Sequence, residues 1–176
     1  MPRVSIPYRA VSILATVCLF ASCGPSLRDH PVTGRALEVY PCEGFQLRED
    51  IPFPIDVDSM GGRIELGGGN WIEFAHNAVN DSVRFQVSYL MRGPRPGKKA
   101  GIEIRRLGPP VQFKEPVRIH ISYAACTDFP EAASKEMVKF PGNSGNDYHW
   151  LSGAMSKNGQ YVEVLVNDFS GFAIAI

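Results

Sequence analysis

Glycine and proline interrupt this chain so often that a fold built on long helices is excluded. There are 17 glycines and 14 prolines among 176 residues, and turn residues recur about every eight to twelve positions over most of the chain. Between them lie short segments in which apolar and polar residues alternate, as in a strand with one buried face. This pattern predicts an all-β fold, an antiparallel β-sandwich.

The segment Ile102–Tyr123 has the clearest strand pattern in the chain. Its first part places Ile102 and Ile104 on one face, and its second part alternates apolar residues from Val117 with polar ones. A Gly-Pro-Pro kink separates the two parts. We expect a strand on each side of the kink, with the other strands arranged around this pair.

The same reasoning predicts strands elsewhere in the chain. They are expected at residues 61–66, 71–74, 83–89, 137–140, 149–151 and 161–166. Residues 51–58 contain two prolines and are expected to form at most an edge strand. Residues 172–176 place apolar side chains on both faces, so this strand should lie inside a sheet and not at its edge.

Residues 1–22 have the three parts of a secretory signal. Arg3 and Arg9 precede the apolar core Ala10–Ala21, which is shorter than the ~20 residues of a membrane-spanning helix. The sequence Leu-Phe-Ala-Ser-Cys-Gly at residues 19–24, which overlaps the end of this core, resembles a bacterial lipobox and implies lipidation of Cys23. An ordinary secreted protein cleaved nearby, or an uncleaved anchor, is the alternative.

The lipobox resemblance also implies a location and a domain plan. Gly24, and not aspartate, follows the cysteine, which in Gram-negative bacteria implies transfer to the outer membrane; a periplasmic or secreted protein is the alternative. We expect a signal peptide at residues 1–22, a lipidated tether at 23–50 that becomes ordered near Cys42, and the sandwich at 51–176. The expected partners are the membrane, through Cys23, and an envelope protein. A formal net charge of zero gives no reason to expect nucleic acid.

Cys42 and Cys126 are the two cysteines that remain after the signal peptide and Cys23. In an oxidising compartment such a pair favours a disulfide, which would join the N-terminal arm to the loop after the strand that begins at Val117. Two separate buried thiols are the alternative.

The sequence offers few residues for catalysis or metal binding. The histidines, His30, His76, His120 and His149, lack ligand spacing, so no metal and no cofactor are expected. His120 alternates with Ile119 and Ile121, and we expect it to be exposed or covered by a partner. No serine lies in a nucleophile elbow, and no glycine-rich phosphate loop is present.

A basic loop and two tryptophans are the remaining candidates for binding. Residues 92–99 carry four positive charges. We interpret this loop as a solvated hairpin tip, with contact to lipid headgroups or an acidic glycan as the alternative. Trp71 and Trp150 lie within strand patterns, which favours core packing over stacking on a sugar.

Two motifs occur among these strands: the first is Gly108-Pro109, Phe113 and Pro116-Val117, and the second is Phe169-Ser170 with Phe172-Ala173. In this order of strands they resemble the ZU-five β-sandwich domain. The resemblance covers about residues 61–176; the family occurs in ankyrins, tight-junction scaffolds, netrin receptors and bacterial surface proteins. It implies a β-sandwich that serves in protein interactions.

Some relatives in that family cleave themselves at a His-Phe-Ser motif. The matching positions here are Asp168, Phe169 and Ser170. Aspartate is a much weaker base than histidine near neutral pH. We therefore expect this degenerate motif to be inactive and the protein to have no catalytic residues.

These features together predict a non-catalytic, lipid-anchored envelope protein whose β-sandwich is a protein-interaction or structural module. The alternative is a surface carbohydrate-binding protein, or an accessory domain of a hydrolase, with a site in its loops. A polar cluster around His76, Asp147 and His149 would favour that alternative.

Overall fold

A computed structural model describes residues 37–109, 111, 113–127, 129–130, 134–141, 147–151 and 160–176, together with the backbone of residues 155–157. Strands are its only regular elements within these ranges. Across the same ranges no helix is long and apolar enough to cross a membrane. The predicted signal peptide, residues 1–22, and the predicted lipidation site, Cys23, lie outside the described residues.

The strands occur in the positions that alternation predicts, with one addition. In chain order they are β1 (Ile55–Val57), β2 (Gly62–Gly67), β3 (Asn70–Phe74), β4 (Val83–Tyr89), β5 (Gly101–Arg106), β6 (Val117–Ser122), β7 (Glu136–Phe140), β8 (His149–Trp150), β9 (Met155–Lys157), β10 (Tyr161–Val166) and β11 (Gly171–Ala175). β9 was not predicted. It pairs with the start of β10.

The strands form two antiparallel sheets. One has six strands in the order β1-β4-β5-β11-β7-β8, and the other has five in the order β2-β3-β6-β10-β9. Apolar side chains from the facing sides of both sheets make one core, which includes Ile72, Phe85, Ile102, Ile119 and Phe172. The predicted β-sandwich is therefore confirmed.

The two strands of Ile102–Tyr123 do not pair with each other. β5 belongs to the six-stranded sheet and β6 to the five-stranded sheet, so the kink between them carries the chain across the sandwich. The prediction of a strand on each side of the kink is confirmed, but it did not say which sheet each strand joins. Alternation shows which side chains are buried, but both sheets bury their side chains in the same core, so it does not show which sheet a strand joins.

β11 and β1 confirm two finer predictions. β11 lies between β5 and β7, and all five of its residues are buried. Phe172 and Ile174 face the core between the sheets, and Ala173 and Ala175 face a second apolar cluster. β1 is three residues long and forms an edge of the six-stranded sheet. The chain enters it through a cis peptide bond between Phe53 and Pro54.

An N-terminal arm, residues 37–48, packs against the sandwich. Val39 is fully buried in the second apolar cluster on the outer face of the six-stranded sheet, with Leu90, Phe140 and Trp150. Cys42 is joined to Cys126 by a disulfide, as predicted. Phe45 inserts into the core between the sheets. The folded part of the chain therefore begins before Ile51.

Candidate functional site

β4 is paired along only half of one side. On that side β1 pairs with Val83–Phe85, and the described residues include no registered partner for the rest of the strand. On its other side β4 pairs with β5 from Phe85 to Tyr89. Residues 86–89 therefore form an open strand edge.

The backbone groups of Val87 and Tyr89 point toward this open edge. Leu107 N donates to Arg84 O at 2.8 Å, and Leu90 N donates to Gly101 O at 3.2 Å. In an antiparallel pair, hydrogen-bonded residues alternate along each strand, so the even-numbered residues of β4 face β5 and the odd-numbered residues face away from it. Within the described part of the chain, no backbone hydrogen bond reaches Val87 or Tyr89 from the open side.

A cavity of about 340 Å³ separates the open edge from the chain segment that precedes β1. It is lined on one side by residues 86–89 and on the other by Leu47, Arg48, Glu49, Ile51, Pro52 and Phe53. Leu47 N donates to the hydroxyl of Tyr89 at 3.0 Å, which fixes one end of this wall. The wall stands away from β4 and leaves its edge accessible.

A second cavity of about 620 Å³ adjoins the first on the outer face of the six-stranded sheet. The two share Gln86, Ser88 and Tyr89. The second is also lined by Met91, Arg92, Glu103, Ile104, Arg105, Arg106, Phe169 and Ser170. We call the two cavities together the β4 groove.

A half-buried ion pair forms one wall of the β4 groove. Arg92 contacts Glu103 at 2.8 Å, and their side chains are only 18% and 28% exposed. Arg92 also donates to the carbonyl of Phe140 at 3.1 Å. Hydrogen bonds to both partners hold the guanidinium in place, so this wall is rigid.

Two large apolar side chains lie exposed at the groove. Phe53 is 67% exposed and Met91 is 61% exposed. Phe53 lines the cavity at the open edge, and Met91 lines the one on the outer face. Single exposed apolar residues are common on protein surfaces, but these two lie beside a free strand edge. Such an edge can bind an extended chain.

The degenerate self-cleavage motif lies near the groove but is held by structural contacts. Lys139 pairs with the carboxylate of Asp168 at 2.7 Å. Phe169 packs against Phe85 with ring centroids 4.8 Å apart. Ser170 is buried, and its hydroxyl donates to the carbonyl of Phe140. The absence of self-cleavage remains a prediction.

The basic loop is exposed at its tip, residues 94–96, as predicted, but Lys99 at its base is not solvated. Lys99 is fully buried, and its Nζ donates to the carbonyls of Arg95 and Gly97. Burial, and then repulsion by Arg95, lowers the pKa of Lys99 below its ordinary value. The N-terminal arm causes this burial, because Cys42 N donates to Lys98 O at 2.7 Å and Tyr40 lies under the guanidinium of Arg95.

His120 lies on the outer face of the five-stranded sheet, as alternation predicts, but it is only 9% exposed. Its ring stacks on Trp71 at 4.7 Å and lies 4.2 Å from Tyr161. Its Nδ1 is 3.1 Å from a carboxylate oxygen of Glu163. The histidine is thus covered by neighbouring strands of its own sheet, and neither exposure nor a separate partner explains its position.

Trp71 and Trp150 are both buried, as expected, but neither lies in the core between the sheets. Trp71 is on the outer face, where Arg63 covers one side of its ring at 3.8 Å and His120 covers the other. A sugar therefore has no ring face of Trp71 on which to stack. Trp150 is buried, but in the second cluster, beneath the N-terminal arm, and not between the sheets.

The polar cluster that would favour a loop-borne site is not formed by the two histidines. His149 lies in β8, at an edge of the six-stranded sheet, and its buried Nδ1 has no hydrogen-bond partner among the described residues. His76 is exposed in the loop after β3. No group of three or more potential metal ligands occurs in the described ranges.

No family model matches this chain, and no curated protein matches it. The β4 groove is therefore the feature of the described surface from which a function can be inferred. Sequence alone did not reveal it, because residues 83–89 show the same alternation whether the strand edge beside them is covered or open.

Proposed function

We propose that this protein is a non-catalytic, lipid-anchored envelope protein whose β-sandwich is a protein-interaction module. Its interaction surface is the β4 groove, where an extended segment of a partner protein adds to the sheet beside β4. The membrane anchor is a lipid on Cys23. The resemblance to ZU-five domains, which serve in protein interactions, supports the same class of function.

The observation that carries this proposal is the open edge at Val87 and Tyr89. Each residue directs an N–H and a C=O away from β5, where no described backbone group meets them. Such groups can pair with the backbone of an added strand, as in recognition by strand addition. Proteins usually cover or shorten such edges because they promote association. β1 covers the first half of β4 in this way, and its first residue, Ile55, lies at the border of the groove.

Amide hydrogen exchange tests the open edge directly in the isolated protein. We expect Val87 and Tyr89 to exchange fast, and Gln86 and Ser88, whose amides face β5, to exchange slowly. Equal protection of all four amides would show that the edge is covered in solution and would overturn the proposed site.

Photo-crosslinking in the producing cell tests the partner. A photoreactive residue at Ser88, which is exposed in the groove, should crosslink to an extended segment of another envelope protein. The control is Leu165, which is exposed in β10 on the opposite sheet. Val87→Pro removes an N–H on the open side without removing a bond to β5, so it should abolish the Ser88 adduct. Equal adducts at both positions, or adducts insensitive to Val87→Pro, would contradict the proposal.

A further inference from the structure

The charges of the β4 groove are not balanced. The groove is lined by four arginines, Arg48, Arg92, Arg105 and Arg106, and by two glutamates, Glu49 and Glu103. Arg48 pairs with Asp50 at 2.6 Å, and Arg92 pairs with Glu103. Arg105 and Arg106 have no carboxylate partner among the described residues. With Asp50 counted beside Glu49 and Glu103, four arginines face three carboxylates, so the groove carries a net charge of +1.

Arg105 is the arginine best placed to contact a bound segment. It is exposed, and it is the registered partner of Gln86, so it lies on the outer face of the sheet. A strand added to β4 would run about 5 Å from β4 and about 10 Å from β5. The long side chains of an arginine and a glutamate can span that distance. Between them lie only the polar side chains of Gln86 and Ser88.

The same charge argues against a second copy of the chain as the occupant. Two copies paired edge to edge at β4 would bring two grooves of the same sign together, with Arg105 of each copy about 10 Å from β4 of the other. Like charges at such a contact disfavour association. An acidic segment meets the groove with complementary charge.

We propose that the β4 groove binds an extended, acidic peptide segment. Its backbone pairs with Val87 and Tyr89, and carboxylates at alternate positions face Arg105 on the outer side of the sheet. This inference rests on the proposed function, because it names the chemistry of the partner at the same site.

Binding of defined peptides to the full lipidated protein in detergent tests the inference. The probe is a fluorescent peptide of about seven residues, a usual strand length, with valine and glutamate in alternation. The matched control has lysine in place of glutamate. We expect the glutamate peptide to bind about tenfold more tightly at low salt, and the difference to shrink as salt is raised.

Two protein variants and one modified peptide make the test specific. Arg105→Glu should reverse the preference between the two peptides, whereas Lys114→Glu, an equal change of charge outside the groove, should leave it unchanged. N-methylation of the peptide amides that face β4 should abolish binding. N-methylation of the other amides should not, because those amides face solvent.

The outcomes separate this inference from the proposed function. Equal binding of both peptides, with loss on N-methylation, would overturn the acidic preference and leave strand addition standing. Binding that survives N-methylation on both sides would overturn strand addition. If neither peptide binds, while the protein self-associates through β4 or binds anionic vesicles, the peptide proposal is wrong. Slow exchange at Val87 and Tyr89 in the free protein would refute both.

Discussion

Removal of the disulfide between Cys42 and Cys126 should greatly destabilise the sandwich. The bond joins residues 84 positions apart in sequence. In the chain-entropy model, closing a loop of this length lowers the entropy of the unfolded chain enough to contribute about 4.5 kcal/mol to the free energy of unfolding at 25 °C. For a protein of this size the loss corresponds to a fall in Tm of about 9–18 °C.

The assay is urea unfolding of the wild type, the single variants Cys42→Ala and Cys126→Ala, and the double variant. Each single variant removes the whole crosslink, so each should lose nearly the full contribution and the double variant should lose little more. Such non-additivity is the mark of a pair that acts as a unit. Reduction of the wild type should reproduce the loss without any change of sequence.

Two results would refute this reasoning. If the double variant unfolds within about 1 kcal/mol of the wild type, the crosslink does not limit the unfolded chain. If the effects of the single variants add, each cysteine contributes through its own packing and the two are not joined. Cys42 is buried and Cys126 is half-buried, so separate packing effects would also differ between the two sites.

Three further predictions concern the core, a buried lysine and the lipid anchor, and the last of them rests on the sequence alone. Phe85→Ala should lower the unfolding free energy by about 3–5 kcal/mol, because Phe85 is fully buried in the core. Phe53→Ala, at an exposed site, should change it by less than about 0.5 kcal/mol. Urea unfolding of both variants checks this, and equal effects would contradict it. Because burial lowers the pKa of Lys99, the folded protein binds fewer protons there than the unfolded chain. The unfolding free energy should therefore rise as pH increases toward the ordinary lysine value of 10.5. Lys99→Met should remove that rise, and an unchanged pH profile in the variant would contradict the assignment. Mass spectrometry should find a diacylglyceryl group on Cys23, and Cys23→Ser should move the protein from the membrane fraction to the soluble fraction; a free N-terminus further along the chain would exclude this anchor.

Alternation predicted most strands of this fold because a half-buried strand must place apolar residues on one face. It could not predict their arrangement. β5 and β6 both face the core, and nothing in their sequences shows that they belong to different sheets. β9 was missed because Met155–Lys157 is too short for a periodic pattern to be visible.

The surface was harder to predict than the core, since contacts between distant segments determine it. Alternation placed His120 on the outer face correctly. It could not show that strand register would bring Trp71 and Tyr161 to its two sides. Lys99 belongs to a charged loop that resembles a solvated one, and only the position of the N-terminal arm explains its burial. The open edge of β4 likewise depends on the position of Ile55, the residue at which β1 begins.

The position of β11 has a consequence for how this chain folds. β11 joins two parts of the six-stranded sheet, β1-β4-β5 on one side and β7-β8 on the other. Until residues 171–175 are in place, the inner edges of β5 and β7 have no partner strand. Unpaired edges of this kind are sites of aggregation during folding. The larger sheet therefore closes only when β11 inserts, and a chain cut before Gly171 would expose two unpaired strand edges.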